Sequence, residues 1–135
     1  MILWSIFIVA YAWAIVATLG IGSWTWRFIS EHKSIGDERA LNAFKSMARW
    51  NMYLALAQIV VLATGSICGM LLILTYDLTI GLIATLIANG ILLGLGKFFK
   101  SIEDRARTLP AATQELANEH HRISETWVHK ALPDF

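Results

Sequence analysis

Polar and apolar positions in this chain fall in long blocks. Three predominantly apolar runs, Ile2 to Trp26, Met52 to Tyr76 and Leu78 to Phe99, alternate with charged stretches. Each run reaches or exceeds the roughly 20 residues a helix needs to cross the hydrocarbon core of a bilayer. Lysine and arginine are confined to two places. Arg27, Lys33, Arg39, Lys45 and Arg49 lie between the first and second runs, and Lys97, Lys100, Arg105, Arg107, Arg122 and Lys130 come at or after the end of the third. Residues 1–26 and 50–96 carry one formal side-chain charge, Asp77. Basic segments are retained on the cytoplasmic side of a membrane. The pattern therefore predicts an all-α membrane protein with three transmembrane helices, the N-terminus outside and the C-terminus cytoplasmic.

Four consecutive segments follow. Residues 1–26 form the first transmembrane helix, with Trp4 at one interface and Trp24, Trp26 and Arg27 at the other. Ala10, Ala14, Thr18 and Gly22 recur every fourth position there, a stripe that admits close approach of another helix. Residues 27–50 read as a cytoplasmic linker, an N-cap at Asp37 and an amphipathic helix. Its apolar face is Leu41, Phe44, Met47 and Ala48, suited to the membrane surface or to a partner. Residues 51–99 form a transmembrane hairpin whose turn spans Thr75 to Thr79, with Asp77 placed to cap the third helix. Counting out from Tyr76, Ser66 and Thr85 both fall about 15 Å from the turn, near the bilayer midplane. Asn89 and Gln58 lie deeper toward the cytoplasm. Residues 100–135 form a cytoplasmic tail in which the third helix continues through Ser101 to Arg105 and breaks at Pro110. Leu116, His120, Ile123 and Trp127 then repeat at 4-3-4 spacing, an apolar seam suited to docking a helical partner.

Composition agrees with the pattern: 135 residues are 56% hydrophobic and 16% charged, with a mean hydropathy of +0.55. A soluble domain of this length carries more charge. The net charge of +1 says nothing about nucleic acid, because the basic residues are interleaved with acids and crowd the membrane ends, and no nucleic-acid partner is expected. Cys68 is the single cysteine, so no disulfide forms within a chain. Met1 to Trp4 lacks the basic residue of a cleavable signal, and the run behind it is about twice the usual signal core, which reads as a retained helix.

Candidate chemistry is sparse. No Asp, Glu, Lys, Arg or His lies within a span away from its ends, which argues against a proton relay in this chain alone. No histidine is available as a membrane haem ligand. His121, Glu125 and His129 follow i, i+4, i+8 spacing, a face that could hold a divalent metal but reads better as solvated. No nucleophile and base are paired. The chain reads as non-enzymatic, with no cofactor and no metal. What the spans do carry is small and polar residues. Gly65, Ser66 and Gly69 stand on the second helix. Gly81, Thr85 and Asn89, with Ala84, Ala88, Gly90 and Gly94, stand on the third. Such stripes pack helices and bond across them.

These residues resemble a known family. Gly65-Ser66-Ile67-Cys68-Gly69-Met70 is similar to the Gly-Thr-Val-x-Gly-Met stretch in the penultimate helix of the MotA/TolQ/ExbB proton channels. Leu82-Ile83-Ala84-Thr85 is similar to the Leu-Ile-Ala-Thr stretch of their last helix, and the cytoplasmic extension from Lys97 to Arg107 continues the likeness. The resemblance implies a bacterial inner-membrane motor component, five copies around two copies of a single-span partner that carries a membrane aspartate. Ser66, Thr85 and, deeper, Asn89 would face that carboxylate, and Gly65 and Gly69 would keep the pore helix close-packed. Ser66 stands where the family has threonine, Gly94 where it has proline, and both inter-helix connections are shorter than in typical members. Two other readings fit the same layout: a structural accessory subunit of a larger membrane complex, and a holin-like pore former.

Overall fold

A computed structural model describes residues 1–76 and 78–135. The cap expected at Asp77 lies outside the described residues. Four helices form among the described residues: α1 (Ile2–Glu31), α2 (Glu38–Thr75), α3 (Leu78–Arg107) and α4 (Gln114–His129). The first three are long and apolar enough to cross a membrane.

Each long helix outruns its apolar stretch, because hydropathy marks bilayer thickness while caps and breakers mark helix ends. In α1 nothing stops the helix at Trp26. Arg27 and Glu31 pair one turn apart at 2.7 Å, and the helix ends where the backbone turns out through residues 32–37. In α2 the expected cap forms, with Asp37 Oδ1 accepting from the Ala40 N–H at 2.8 Å. The amphipathic segment and the second apolar run then make one continuous 38-residue helix. α3 runs on to Arg107, and Arg105 and Arg107 in its last turn suit the negative end of the helix dipole. Pro110 follows, and α4 opens on Thr113, whose side chain accepts from the Leu116 N–H.

The chain divides into two compact units, each discontinuous in sequence: residues 1–19 with 57–98, and residues 20–56 with 99–135. The first holds a cluster of Phe7, Tyr11, Cys68 and Leu72, flanked by Trp4, Leu62, Ala84, Ala88 and Leu92. Its α2–α3 hairpin is close-packed. A Cβ built on Gly81 would stand 3.1 Å from the Ile73 nitrogen and 3.2 Å from its Cα, so the glycine admits neighbouring backbone.

The second unit has its own core of Phe28, Ile35, Leu41, Phe44, Met47, Ala48, Ala106 and Ile123. Phe44, Ile35, Met47 and Ile123 are fully buried. Phe44 is central. Its ring lies 5.9 Å from Phe28, 4.5 Å from His120 and 6.0 Å from Trp127. The two linkers meet in a parallel bridge, with Ile35 N–H donating to the Pro110 carbonyl at 2.8 Å and Ala112 N–H donating to the Ile35 carbonyl at 3.0 Å. The Leu41/Phe44/Met47/Ala48 face is thus covered by the chain itself, not by a membrane surface or a partner. The same unit packs Gly22, where a Cβ would run into the Phe99 ring.

Candidate functional site: polar layers among the apolar helices

In the first unit the polar residues of the spans fall in layers four residues apart, and one register orders them. Ile73 meets Gly81 and Gly69 meets Thr85. Both pairs centre on position 77, so Gly65 is level with Asn89.

The Gly69 layer is tight. Thr85 is half-buried, and its Oγ1 donates to the Gly81 carbonyl at 2.8 Å. A Cβ on Gly69 would come within 2.8 Å of that Oγ1 and 3.3 Å of Phe7 Cε2. In the next layer Asn89 Nδ2 donates to Tyr11 Oη at 3.1 Å and to the Thr85 carbonyl at 2.9 Å. A Cβ on Gly65 would stand 3.0 Å from the Tyr11 ring and 3.5 Å from Ala10 Cβ. The Gly65/Gly69 spacing therefore seats Tyr11 and Phe7 of α1. Further along, Gln58 Nε2 donates to Thr18 Oγ1 at 2.7 Å and to the Ala14 carbonyl at 3.4 Å. Thr18 Oγ1 itself donates to that carbonyl at 2.8 Å.

In a bilayer these groups find no water, so each bond replaces an otherwise unsatisfied group in hydrocarbon. Among the described residues no buried side-chain nitrogen or oxygen lacks a partner. The structure thus brings Thr85 and Asn89 together with α1 and α2. It does not bring Ser66 to them. Ser66 is exposed and is level with Ala88, about 4.5 Å along the axis from Thr85. Counting from Tyr76 instead of from position 77 made the two hydroxyls look level. Among the small residues of α3, Ala84 and Ala88 pack on the Phe7/Tyr11 cluster, whereas Gly90 and Gly94 face open space. The residue missed in the sequence is Tyr11. Its signal was there: Phe7, Tyr11, Ala14 and Thr18 follow 4-3-4 spacing on the face of α1 that turns inward.

The seam of α4 has a partner within the chain, which corrects its reading as a docking face. Ile123 is buried, and Leu116 and Trp127 pack on the same core. The His120 ring lies tilted against Phe44, and its Nε2 donates to the Ala106 carbonyl at 3.1 Å. Ser124 Oγ donates to the Arg107 carbonyl at 3.5 Å. Beyond α4, Asp134 pairs with Lys130, stands 3.9 Å from Arg122 and accepts from Thr126 Oγ1 at 3.2 Å. Arg49 donates to the Phe135 carbonyl. Of the His121/Glu125/His129 face, Glu125 and His129 approach to 3.3 Å. Arg122 and Lys130 line the same cavity, and among the described residues no three ligating side chains converge.

Burial holds the His120 imidazole below its ordinary 6.5, reinforced by the charge of His121 and opposed by the bond to Ala106. Above pH 6.5 the ring is neutral both folded and unfolded, and its contribution to α4 packing is complete. As pH falls below 6.5 the unfolded state takes up a proton before the folded one does, so the packing weakens. The protection of α4 amides, taken relative to their intrinsic exchange rates, should therefore fall between pH 6.5 and the depressed folded value, and His120→Gln should flatten that dependence. An equal slope in the variant would move the effect to another group.

No protein family, curated protein or solved structure matches this chain.

Proposed function

We propose that the chain is a non-enzymatic integral membrane subunit with a structural role, joined to other transmembrane helices through α3. One observation carries the reading. Only 6% of the apolar window of α3 is buried, and Gly90 and Gly94 stand on it with nothing within 4 Å. Small residues bare to the membrane let a second helix approach backbone to backbone. The polar side chains that a channel would turn toward its ion path, Thr85, Asn89 and Gln58, are instead bonded within the chain. By the placement of its basic residues the subunit lies with its N-terminus outside and its C-terminus in the cytoplasm, in a bacterial inner membrane by the family resemblance.

Native mass spectrometry of the protein from its own membranes tests this. Gly90→Leu with Gly94→Leu should strip it from its assembly while leaving the isolated chain's thermal melt in place. An assembly of unchanged mass with that double variant would reject α3 as the joining face.

The exposed hydroxyl of Ser66 favours a second reading, a homo-oligomeric proton-channel component with an aspartate-bearing single-span partner. That reading expects five copies in the native spectrum and loss of proton-coupled activity in Ser66→Ala and Thr85→Val. One copy within a larger assembly would leave both residues as packing groups.

A further inference from the structure

The linker after α1 holds a cavity lined by charged side chains that the structural role above does not use. It has a volume of about 590 Å³ and lies between the last turn of α1 and the first turns of α2. That is within the usual range for a small-ligand site. Lys33 and Arg39 line it, with His32, Ser34, Glu31 and Asp37. Each carboxylate has a partner, but only Glu31 has a cationic one. Glu31 Oε1 is held by Arg27 at 2.7 Å, and Asp37 Oδ1 accepts from the Ala40 N–H. His32 is fixed as well, its ring stacked on Phe28 at 4.7 Å and its Nδ1 donating to the Phe28 carbonyl. Lys33 and Arg39 are exposed, and among the described residues neither is in an ion pair. The charge of Glu31 is thus offset by Arg27, which leaves the two cations Lys33 and Arg39 against the single charge of Asp37.

Its position along α1 names the ligand. Trp24 and Trp26 close the first apolar run, where amphipathic rings mark the edge of the hydrocarbon. Glu31 lies five residues beyond Trp26, about 7.5 Å along the helix. The headgroup zone on each side of a bilayer is about 5–8 Å deep. The cavity thus opens at headgroup level, on the face where basic residues meet anionic lipid.

We propose that this cavity binds the phosphate headgroup of an anionic phospholipid, with Lys33 and Arg39 as the charged contacts and the Ser34 hydroxyl as a further donor. The test is retention of phosphatidylglycerol against phosphatidylcholine by the full chain in detergent, read by native mass spectrometry. Phosphatidylglycerol should be retained in preference, and Lys33→Gln with Arg39→Gln should weaken that preference by about 10- to 30-fold. A control pair, Lys97→Gln with Lys100→Gln, removes two cations elsewhere and should leave it intact. An equal loss in both pairs would overturn the site, because the basic surface as a whole would then be responsible. Equal retention of the two lipids by the unaltered chain would overturn it outright. Displacement of the lipid by inorganic phosphate at equal concentration would identify a free-phosphate site and reject the lipid.

Discussion

Phe44→Ala should release α4. The phenyl ring is fully buried and touches Phe28, His120 and Trp127, so its loss removes the surface on which the tail helix rests. Truncating a buried phenylalanine costs about 3–5 kcal/mol. That is a large share of the stability of a small unit. Hydrogen exchange followed by mass spectrometry should show residues 114–129 losing protection. Residues 57–98 should keep theirs, since the Phe7/Tyr11 cluster is a separate core. Persistent protection of α4 in the variant would show that the Asp134 and Arg49 contacts hold it unaided.

The second large effect is expected at Gly81. Here the neighbour is backbone, 3.1 Å and 3.2 Å from where a Cβ would stand, and backbone cannot rotate away as a side chain can. Gly81→Val should force the hairpin open at a cost of about 1–3 kcal/mol or more, seen as a lowered melting temperature in detergent. Gly96 offers the contrast, with nothing within 4 Å of its Cβ position. Gly96→Ala should stabilise the helix by about 1 kcal/mol. Equal melting temperatures for the two variants would mean that the α2–α3 contact at Gly81 yields to a side chain without cost.

The three spans were legible because hydrocarbon imposes a length and a composition that few other settings do. The Asp37 cap and the break at Pro110 were legible because their chemistry is local. What the sequence hid was pairing. The Leu41/Phe44/Met47 face and the Leu116/Ile123/Trp127 face each read as apolar and unpartnered. They cover one another across a separation of some 75 residues, and a one-dimensional pattern carries no sign of that match. The polar positions failed in a related way. Thr85 and Asn89 stood out by residue type, but whether they turn toward a pore or toward Gly69 and Tyr11 depends on helix phase. Counting residues from a turn fixes that phase only to within a residue or two, enough here to place Ser66 beside the wrong neighbour.

The discontinuity of the second unit bears on how the protein is made. Phe28, Ile35, Phe44 and Met47 leave the ribosome well before the residues that cover them. Between Leu56 and Trp127 lie about 70 residues, including the whole transmembrane hairpin. At the usual pace of synthesis that is a wait of roughly 4 to 14 s. Throughout it an apolar surface stays uncovered, open to chaperones, to proteases and to other nascent chains. The Ile35–Ala111 bridge can close only once Ala111 has been made, after the whole of α3.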